Sequence, residues 1–90
     1  MSANKQWFVY VLINQNGDCY TGVTLDDTPD RRLAEHNGER PGGAKYTRTR
    51  GPWEILYVEN GFSERGKAQS REAQIKKDRK FKSLLKLHRV

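Results

Sequence analysis

The fold is decided by one stretch of the sequence, which reads FVYVLI (residues 8–13), NQNGD (14–18) and CYTG (19–22). Two runs rich in β-branched and aromatic residues flank the pair Asn16-Gly17. Such a pair between two strand-like runs is the strongest short-range signal for a β-hairpin. The sequence therefore predicts two antiparallel strands, each carrying one tyrosine, Tyr10 and Tyr20.

The length of the turn decides whether these two tyrosines share a face of the sheet. A two-residue turn at positions 16–17 pairs Ile13 with Tyr20 and puts Tyr10 on the opposite face, because side chains alternate along a strand. A three-residue loop at 15–17 instead pairs Leu12 with Tyr20 and Tyr10 with Gly22, so both tyrosines face the same side. The residue pattern is compatible with either turn.

Length and charge restrict the class of protein. The chain has 90 residues, a net charge of +6 and a pI of about 9.7, which predicts a single domain, residues 1–90, with one small core. The positive charge is typical of a nucleic-acid-binding protein, although basic proteins also bind anionic membranes. No apolar run reaches the ~18 residues of a membrane span, so we expect no membrane association. The single cysteine, Cys19, favours a cytoplasmic protein.

A short helix is predicted after the hairpin. It begins at Thr28-Pro29 and ends at Asn37-Gly38. Arg32 and His36 are four residues apart and therefore project from one face. A solvated basic helix with a surface histidine is the alternative interpretation.

A basic loop is predicted over residues 39–52, before a third strand at 53–59. Its cations can neutralise phosphates, and Tyr46 can stack on an unpaired base; a soluble, mobile connector is the alternative. The third strand is apolar on both faces except near its ends, which predicts a buried strand rather than an edge strand, with a turn at Gly61. The basic residues of the loop are Arg40, Lys45, Arg48 and Arg50.

Two further helices are predicted, at residues 64–77 with Ser63 as the cap, and at 78–90 with Phe81, Leu84 and Leu85 on its apolar side. On the first of them Ala68, Glu72 and Ile75 share a stripe. An ionised carboxylate on an apolar stripe must be paired or must bind a metal. A salt bridge from Glu72 to Lys76, or to an arginine of another element, is the alternative to a metal site.

Five segments, in order, resemble the GIY-YIG nuclease family. Residues 8–10 and 20–22 look like the two halves of the motif that names the family. The run RLAEHN (32–37) is similar to the family's first helix, GAKYTR (43–48) to the loop of its small single-domain branch, and the segment from Ala68 to Lys77 to its glutamate helix. The resemblance covers about residues 7–86. It implies an α/β fold, with a three-stranded antiparallel sheet flanked by helices, and the three-residue hairpin loop.

The resemblance also implies a function. It suggests a metal-dependent endonuclease that is structure-selective and linked to DNA repair or recombination, and DNA rather than RNA is the expected substrate. Glu72 corresponds to the family's only protein ligand for one divalent cation, Mg²⁺ or Mn²⁺, and Arg32 to the arginine that contacts the scissile phosphate. The basic loop is then a nucleic-acid-binding segment. The implied catalytic residues are Tyr10, Tyr20, Arg32, His36 and Glu72.

The sequence departs from the family pattern at two places in the motif. Phe8 replaces the glycine of the first half, and Val23 stands where several members have lysine. Two alternatives therefore stay beside the nuclease: a nucleic-acid-binding module without turnover, and a nuclease subunit that needs a partner protein to supply DNA-binding surface.

Overall fold

The chain forms a three-stranded antiparallel sheet with four helices, in the strand order β2-β1-β3. The computed structural model describes residues 5–88, so residues 89 and 90 of the last predicted helix lie outside the described residues. The α/β fold predicted from the sequence is confirmed. The elements in chain order are β1 (Gln6–Ile13), β2 (Cys19–Asp26), α1 (Asp30–His36), α2 (Lys45–Arg48), β3 (Glu54–Phe62), α3 (Arg65–Lys77) and α4 (Arg79–Leu87).

The hairpin between β1 and β2 uses the three-residue loop. Asn14 and Asp18 close it, because the Asn14 N–H donates to the Asp18 carbonyl at 3.2 Å, and Gly17 takes a φ of +84°. A positive φ is readily adopted by glycine and rarely by other residues. The resulting register pairs Tyr10 with Gly22. The two tyrosines therefore share one face of the sheet, as the resemblance implied.

Strand β1 lies at the centre of the sheet, and each face of the sheet is covered by helices. Val9 and Val11 pack with Ala68 and Ile75 of α3 on one face. Tyr10, Leu12 and Trp53 form the second apolar cluster, which Leu33 of α1 joins from the other face. The alternation of side chains along β1 therefore connects two cores through a single strand.

The predicted placement of the third strand was wrong. β3 is an edge strand, and it runs through Gly61, which has a φ of +90°, to Phe62. The register of the β1–β3 pair shifts between Trp7 and Val9, so the glycine accommodates an irregularity in the strand rather than a chain reversal. The strand is apolar on both faces because helices cover both faces of the sheet.

The predicted helices are present, with local corrections. α3 begins at Arg65 after Glu64, so Ser63 does not occupy the cap position. The Asp78 carboxylate accepts from the Phe81 N–H at 2.9 Å and starts α4. Leu84 is exposed, since only Phe81 and Leu85 of the predicted apolar side reach the core. None of the helices within residues 5–88 has the length and apolar character needed to cross a membrane.

Gly22 should be essential to this packing. A Cβ at position 22 would lie 2.4 Å from the Tyr10 hydroxyl oxygen, and Tyr10 is 2 % exposed, so its ring has nowhere to move. We expect Gly22→Ala to lower the free energy of unfolding by roughly 1–3 kcal/mol, the usual cost of overpacking, as measured by urea denaturation. Gly66→Ala is the matched control, because nothing lies within 4 Å of its added Cβ. A Gly22 variant as stable as the control would contradict this account.

Candidate active site

A cavity of about 210 Å³ opens at the outer edge of β2, between α1 and α3. It gathers four of the residues that sequence analysis named as catalytic. Tyr10 and Tyr20 come from the hairpin, Arg32 from α1 and Glu72 from α3. Gly22 forms part of the wall, and its missing side chain leaves room for the Tyr10 ring. Side chains from both helical layers meet there because no strand within residues 5–88 pairs with the outer edge of β2.

His36, the fifth predicted catalytic residue, lies behind Tyr10 and is fully buried. The alternative of a surface histidine is therefore wrong. The Tyr10 hydroxyl is 2.8 Å from His36 Nε2, and His36 Nδ1 is 2.7 Å from the Thr47 hydroxyl oxygen. That hydroxyl in turn donates to the Ala44 carbonyl at 2.9 Å. Because the single Thr47 hydroxyl proton is used there, His36 carries its proton on Nδ1 and accepts from Tyr10 at Nε2.

Burial holds both members of this pair neutral. Desolvation is the main cause that raises the pKa of Tyr10 to about 12, and the adjacent Arg32 guanidinium offsets part of the rise. Desolvation, together with the charge of Arg32, lowers the pKa of His36 to about 4. Tyr10 is consequently a protonated phenol at neutral pH and His36 an uncharged imidazole.

The Arg32 guanidinium is held in place through one of its terminal nitrogens. Its Nη1 donates to the Glu35 carboxylate at 2.5 Å and to the Gly42 carbonyl at 2.8 Å. Gly43 packs against the end of α1 so closely that a Cβ there would lie 2.2 Å from the Glu35 carbonyl oxygen. The loop after α1 thus fixes the guanidinium, which also hydrogen-bonds the Tyr10 hydroxyl. The N–H groups that are not used in these contacts can bind a phosphate.

Glu72 presents the carboxylate of the cavity. Within residues 5–88 its one ion-pair partner is Lys76, at 3.2 Å, and the Lys76 side chain is 56 % exposed. No group of three or more potential metal ligands occurs among these described residues. The donor set therefore fits a metal that takes one carboxylate and completes its shell with water and substrate phosphate, as Mg²⁺ commonly does.

A separate ion pair positions the helix that carries Glu72. Arg71 donates from Nε and Nη2 to the two carboxylate oxygens of Glu59 on β3, at 2.8 and 2.7 Å. The Tyr57 hydroxyl also donates to Glu59, and its ring packs edge-on against Phe81. The neighbouring arginine thus pairs with Glu59, and Glu72 is left facing the cavity.

The segment at 39–52 is more ordered than the predicted loop. It contains α2, whose buried Thr47 completes the hydrogen bonds of His36. Trp53 is buried and donates from Nε1 to the Thr47 carbonyl at 2.9 Å, so it is not a surface platform. The basic residues Arg40, Lys45, Arg48 and Arg50 are all exposed.

Tyr46 is only partly available as a stacking surface. Its ring lies parallel to that of Tyr20, with centroids 6.0 Å apart, and the Arg50 guanidinium sits 4.1 Å from its centroid. The Tyr20 ring also lies 4.9 Å from His36. An aromatic series therefore leads from the basic segment to the cavity.

Sequence reasoning missed several residues of the site. No sequence pattern marks Thr47, because its role depends on a contact with His36, which lies eleven residues earlier in the chain. Trp7, Arg65 and Gln69 also line the cavity. The position of Arg65 at the start of α3, one to two turns before Glu72, is the signal that could have identified it.

Comparisons with known proteins support the resemblance seen in the sequence. The model of the GIY-YIG catalytic domain family matches residues 6–84. A protein of Caenorhabditis briggsae named "structure-specific endonuclease subunit SLX1 homolog" is 44 % identical over an alignment of 66 residues that covers 66 % of this chain and 15 % of that protein. A UPF0213 protein of Oceanobacillus iheyensis is 40 % identical over 81 residues, 90 % of this chain and 88 % of that one. The chain thus spans a small part of the nematode relative and nearly all of the bacterial one.

Two solved structures share the fold. The solution structure of a protein from E. faecalis aligns with a TM-score of 0.56 and 37 % identity, covering 97 % of this chain and 90 % of that one. A UPF0213 protein from Bacillus halodurans aligns with a TM-score of 0.50 and 35 % identity, covering 92 % and 85 %.

The buried imidazole should make stability depend on pH. The unfolded histidine has a pKa of ~6.5 and the folded His36 one of about 4, so the unfolded state binds more protons between these values. Stability should therefore fall as the pH is lowered from ~6.5 towards ~4. We expect His36→Gln to show a smaller loss of unfolding free energy between pH 7 and pH 5 than the parent.

The exposed His88 provides the control for this measurement. The pH dependence of His88→Gln should follow that of the parent, because the His88 side chain is exposed and the fold does not enclose it. Equal pH dependence in the parent and both variants would show that His36 is not held neutral by the fold.

Proposed function

We propose that this chain, which belongs to the GIY-YIG catalytic domain family, is a metal-dependent endonuclease that hydrolyses phosphodiester bonds in DNA. The observation that carries the proposal is the cavity at the edge of β2. There a phenol backed by a neutral imidazole, a guanidinium and a carboxylate face one space. Phosphodiester hydrolysis needs activation of water, neutralisation of the charge on the phosphate, and stabilisation of the negative charge that develops on the leaving oxygen.

Glu72 would hold one divalent cation, Mg²⁺ or Mn²⁺. When bound, the ion supplies Lewis-acid stabilisation of charge on the phosphate. Lys76 pairs with the same carboxylate, and because its side chain is more than half exposed the ammonium can turn away into solvent. A site with one protein ligand depends on the substrate phosphate for further ligands, so metal and substrate should bind together.

The hydrogen-bond chain favours Tyr10 as the residue that takes a proton from water. A tyrosine with a pKa of about 12 is too weakly ionised to act alone. His36 Nε2, however, already accepts a hydrogen bond from the phenol. As water gives its proton to the phenol oxygen, the phenol proton passes to Nε2 and hydroxide attacks phosphorus. The bond to the leaving oxygen breaks, and that oxygen keeps the electron pair and takes a proton from solvent. Tyr20 stands beside His36 and lines the same space.

Arg32 connects substrate binding to this proton path. The positive charge of Arg32 is one cause of the low pKa of His36. A bound phosphate diester offsets that charge, which raises the proton affinity of the imidazole when the proton has to be received. The same guanidinium stabilises the additional negative charge of the transition state with its fixed donors.

The wider biological setting is inferred from the relatives. The name of the nematode proteins, structure-specific endonuclease subunit SLX1 homolog, supports structure selectivity. A role in DNA repair or recombination and a cytoplasmic location are further parts of this proposal. The word "subunit" in that name favours a second candidate, in which a partner protein supplies DNA-binding surface. Nicking by the purified chain alone would exclude such a requirement.

Glu72 should be required for cleavage and not for folding. Glu72→Gln and Lys76→Gln break the same ion pair, but only the first removes the carboxylate. Because the pair is partly exposed, each should cost at most ~1 kcal/mol of stability. We expect Glu72→Gln to bind DNA as the parent does in EDTA, where neither protein holds a metal. In the presence of metal it should nick DNA at least ~100-fold more slowly, a loss of roughly 3 kcal/mol of transition-state stabilisation. Lys76→Gln should still nick.

The assay uses purified protein, Mg²⁺ or Mn²⁺, and labelled linear, nicked, flap and branched DNA, with melting curves for each variant. A parent that binds these substrates and cuts none of them with either metal would favour the non-catalytic binding module. Equal nicking by the parent and Glu72→Gln would remove Glu72 from the mechanism.

The basic segment should contribute binding that does not depend on sequence. We expect replacement of Arg40, Lys45 and Arg48 by glutamine to lower the slope of log affinity against log salt by about one unit for each lost phosphate contact. Arg50 is left intact because it packs on Tyr46 and donates to its carbonyl. The control removes three other exposed cations, Lys67, Lys77 and Lys80. Equal slopes for the two triple variants would show that the segment is only a connector.

A further inference from the structure

A second cavity, of about 350 Å³, continues from the active-site cavity along the edge of β2. The two cavities share Trp7, Val23, Arg32 and Arg65 as lining residues. We call the second one the flanking cavity; Leu25 and Arg31 are its further lining residues used below. A strand whose scissile phosphate lies against Arg32 therefore meets the flanking cavity with its neighbouring nucleotide.

The flanking cavity has an apolar wall next to its cations. Trp7 and Leu25 are directly opposite each other in the β1–β2 register and so lie on one face of the sheet. Leu25 is 41 % exposed, although it is a large apolar residue. Trp7 is half-buried, and the Arg65 guanidinium lies 6.0 Å from the centroid of its ring. An aromatic ring and an exposed leucine form a surface on which a flat apolar group can lie.

The charge around this wall is positive. Besides Arg32, two arginines line the flanking cavity, and one of them, Arg31, is paired with Asp26 at 2.7 Å. Arg65 has no carboxylate partner among residues 5–88. The acidic residue on the wall, Glu35, is already neutralised by Arg32. The cavity thus combines an apolar platform with an uncompensated guanidinium, which suits a ligand that has a flat ring and a phosphate.

We propose that the flanking cavity binds one unpaired nucleotide adjacent to the scissile phosphate, with its base on Trp7 and Leu25 and its phosphate on Arg65. This inference rests on the proposed nuclease function and adds to it a basis for substrate choice. A base within a duplex has both faces covered by its neighbours, so it can enter a concave space only if it is already unpaired or is extruded at a cost. The cavity therefore selects DNA with an unpaired nucleotide beside the cut.

The test measures binding without cleavage. Two DNA molecules of the same sequence are compared in EDTA, a continuous duplex and a nicked duplex with one unpaired 2-aminopurine nucleotide at the nick. We expect the parent to bind the second about 10-fold more tightly, the scale of one base–aromatic stack, and to quench the 2-aminopurine fluorescence. The ratio of the two dissociation constants reports the flanking cavity and cancels the general effect of charge.

Three variants examine the cavity, and one serves as the control. Arg65→Gln, Leu25→Thr and Trp7→Leu should each reduce the ratio by at least about threefold, and Trp7→Leu should restore most of the fluorescence. Lys67→Gln removes the same charge from the same helix at a residue outside the cavity, and its ratio should equal that of the parent. Leu25 and Arg65 are exposed, so these two variants test the inference even if Trp7→Leu does not fold.

The results separate this inference from the nuclease proposal. Two results would overturn the flanking cavity as a nucleotide site. The parent could show no preference for the unpaired nucleotide, or the Arg65 and Leu25 variants could keep the parent's ratio of dissociation constants. Either result is expected if the cavity binds a partner polypeptide instead. Nicking by the same parent in Mn²⁺ would leave the endonuclease standing. Loss of the ratio in the variants of a parent that never nicks would support the nucleotide site and reject the catalytic role.

Discussion

The hydrogen bond from Tyr10 to His36 is the interaction on which the α1 side of the molecule depends. A phenol and an imidazole with almost no solvent contact must find partners inside the protein, because an unpaired buried polar group is costly. The Tyr10 hydroxyl is hydrogen-bonded to His36, His36 to the Thr47 hydroxyl, and that hydroxyl to the Ala44 carbonyl. α1 and α2 have only seven and four residues, too few to be stable alone. The chain of hydrogen bonds and the cluster around Trp53 therefore hold these short helices on the sheet.

The same chain explains why Tyr10 and His36 stay neutral beside the fixed charge of Arg32. Arg32 lies near both Tyr10 and His36 and disfavours a second positive charge on the imidazole. Burial disfavours a negative charge on the phenol more strongly than Arg32 promotes it. The resting site thus keeps its proton between two neutral groups and its positive charge on Arg32. An anionic substrate changes this balance on arrival, so the groups are better prepared for proton transfer when a phosphate is present than when it is absent.

The sequence was sufficient for the fold and for most residues of the candidate site, because these depend on local signals. The Asn16-Gly17 turn, the strand alternation and the helix periodicity predicted the elements, and the family resemblance selected the hairpin register that brings Tyr10 and Tyr20 together. The errors came from tertiary context. β3 is apolar on both faces because two helical layers cover it, which local pattern cannot distinguish from a central position. The sequence did not decide whether His36 is a surface residue or part of the site, because its burial depends on Thr47 and on the fold of the segment after α1.

The unpaired edge of β2 explains how the two helical layers produce one site. Glu72 belongs to the layer that Arg71 and Glu59 tie to β3, and Arg32 belongs to the layer held by His36. These layers cover opposite faces of the sheet, so their side chains can meet only around an edge. An added strand there would close the cavity, and a bare strand edge invites such pairing. Arg31 and Arg65 flank this edge on α1 and α3. Charged side chains at an exposed strand edge disfavour the addition of another strand, so the same arginines that suit this edge to phosphate binding also oppose extension of the sheet.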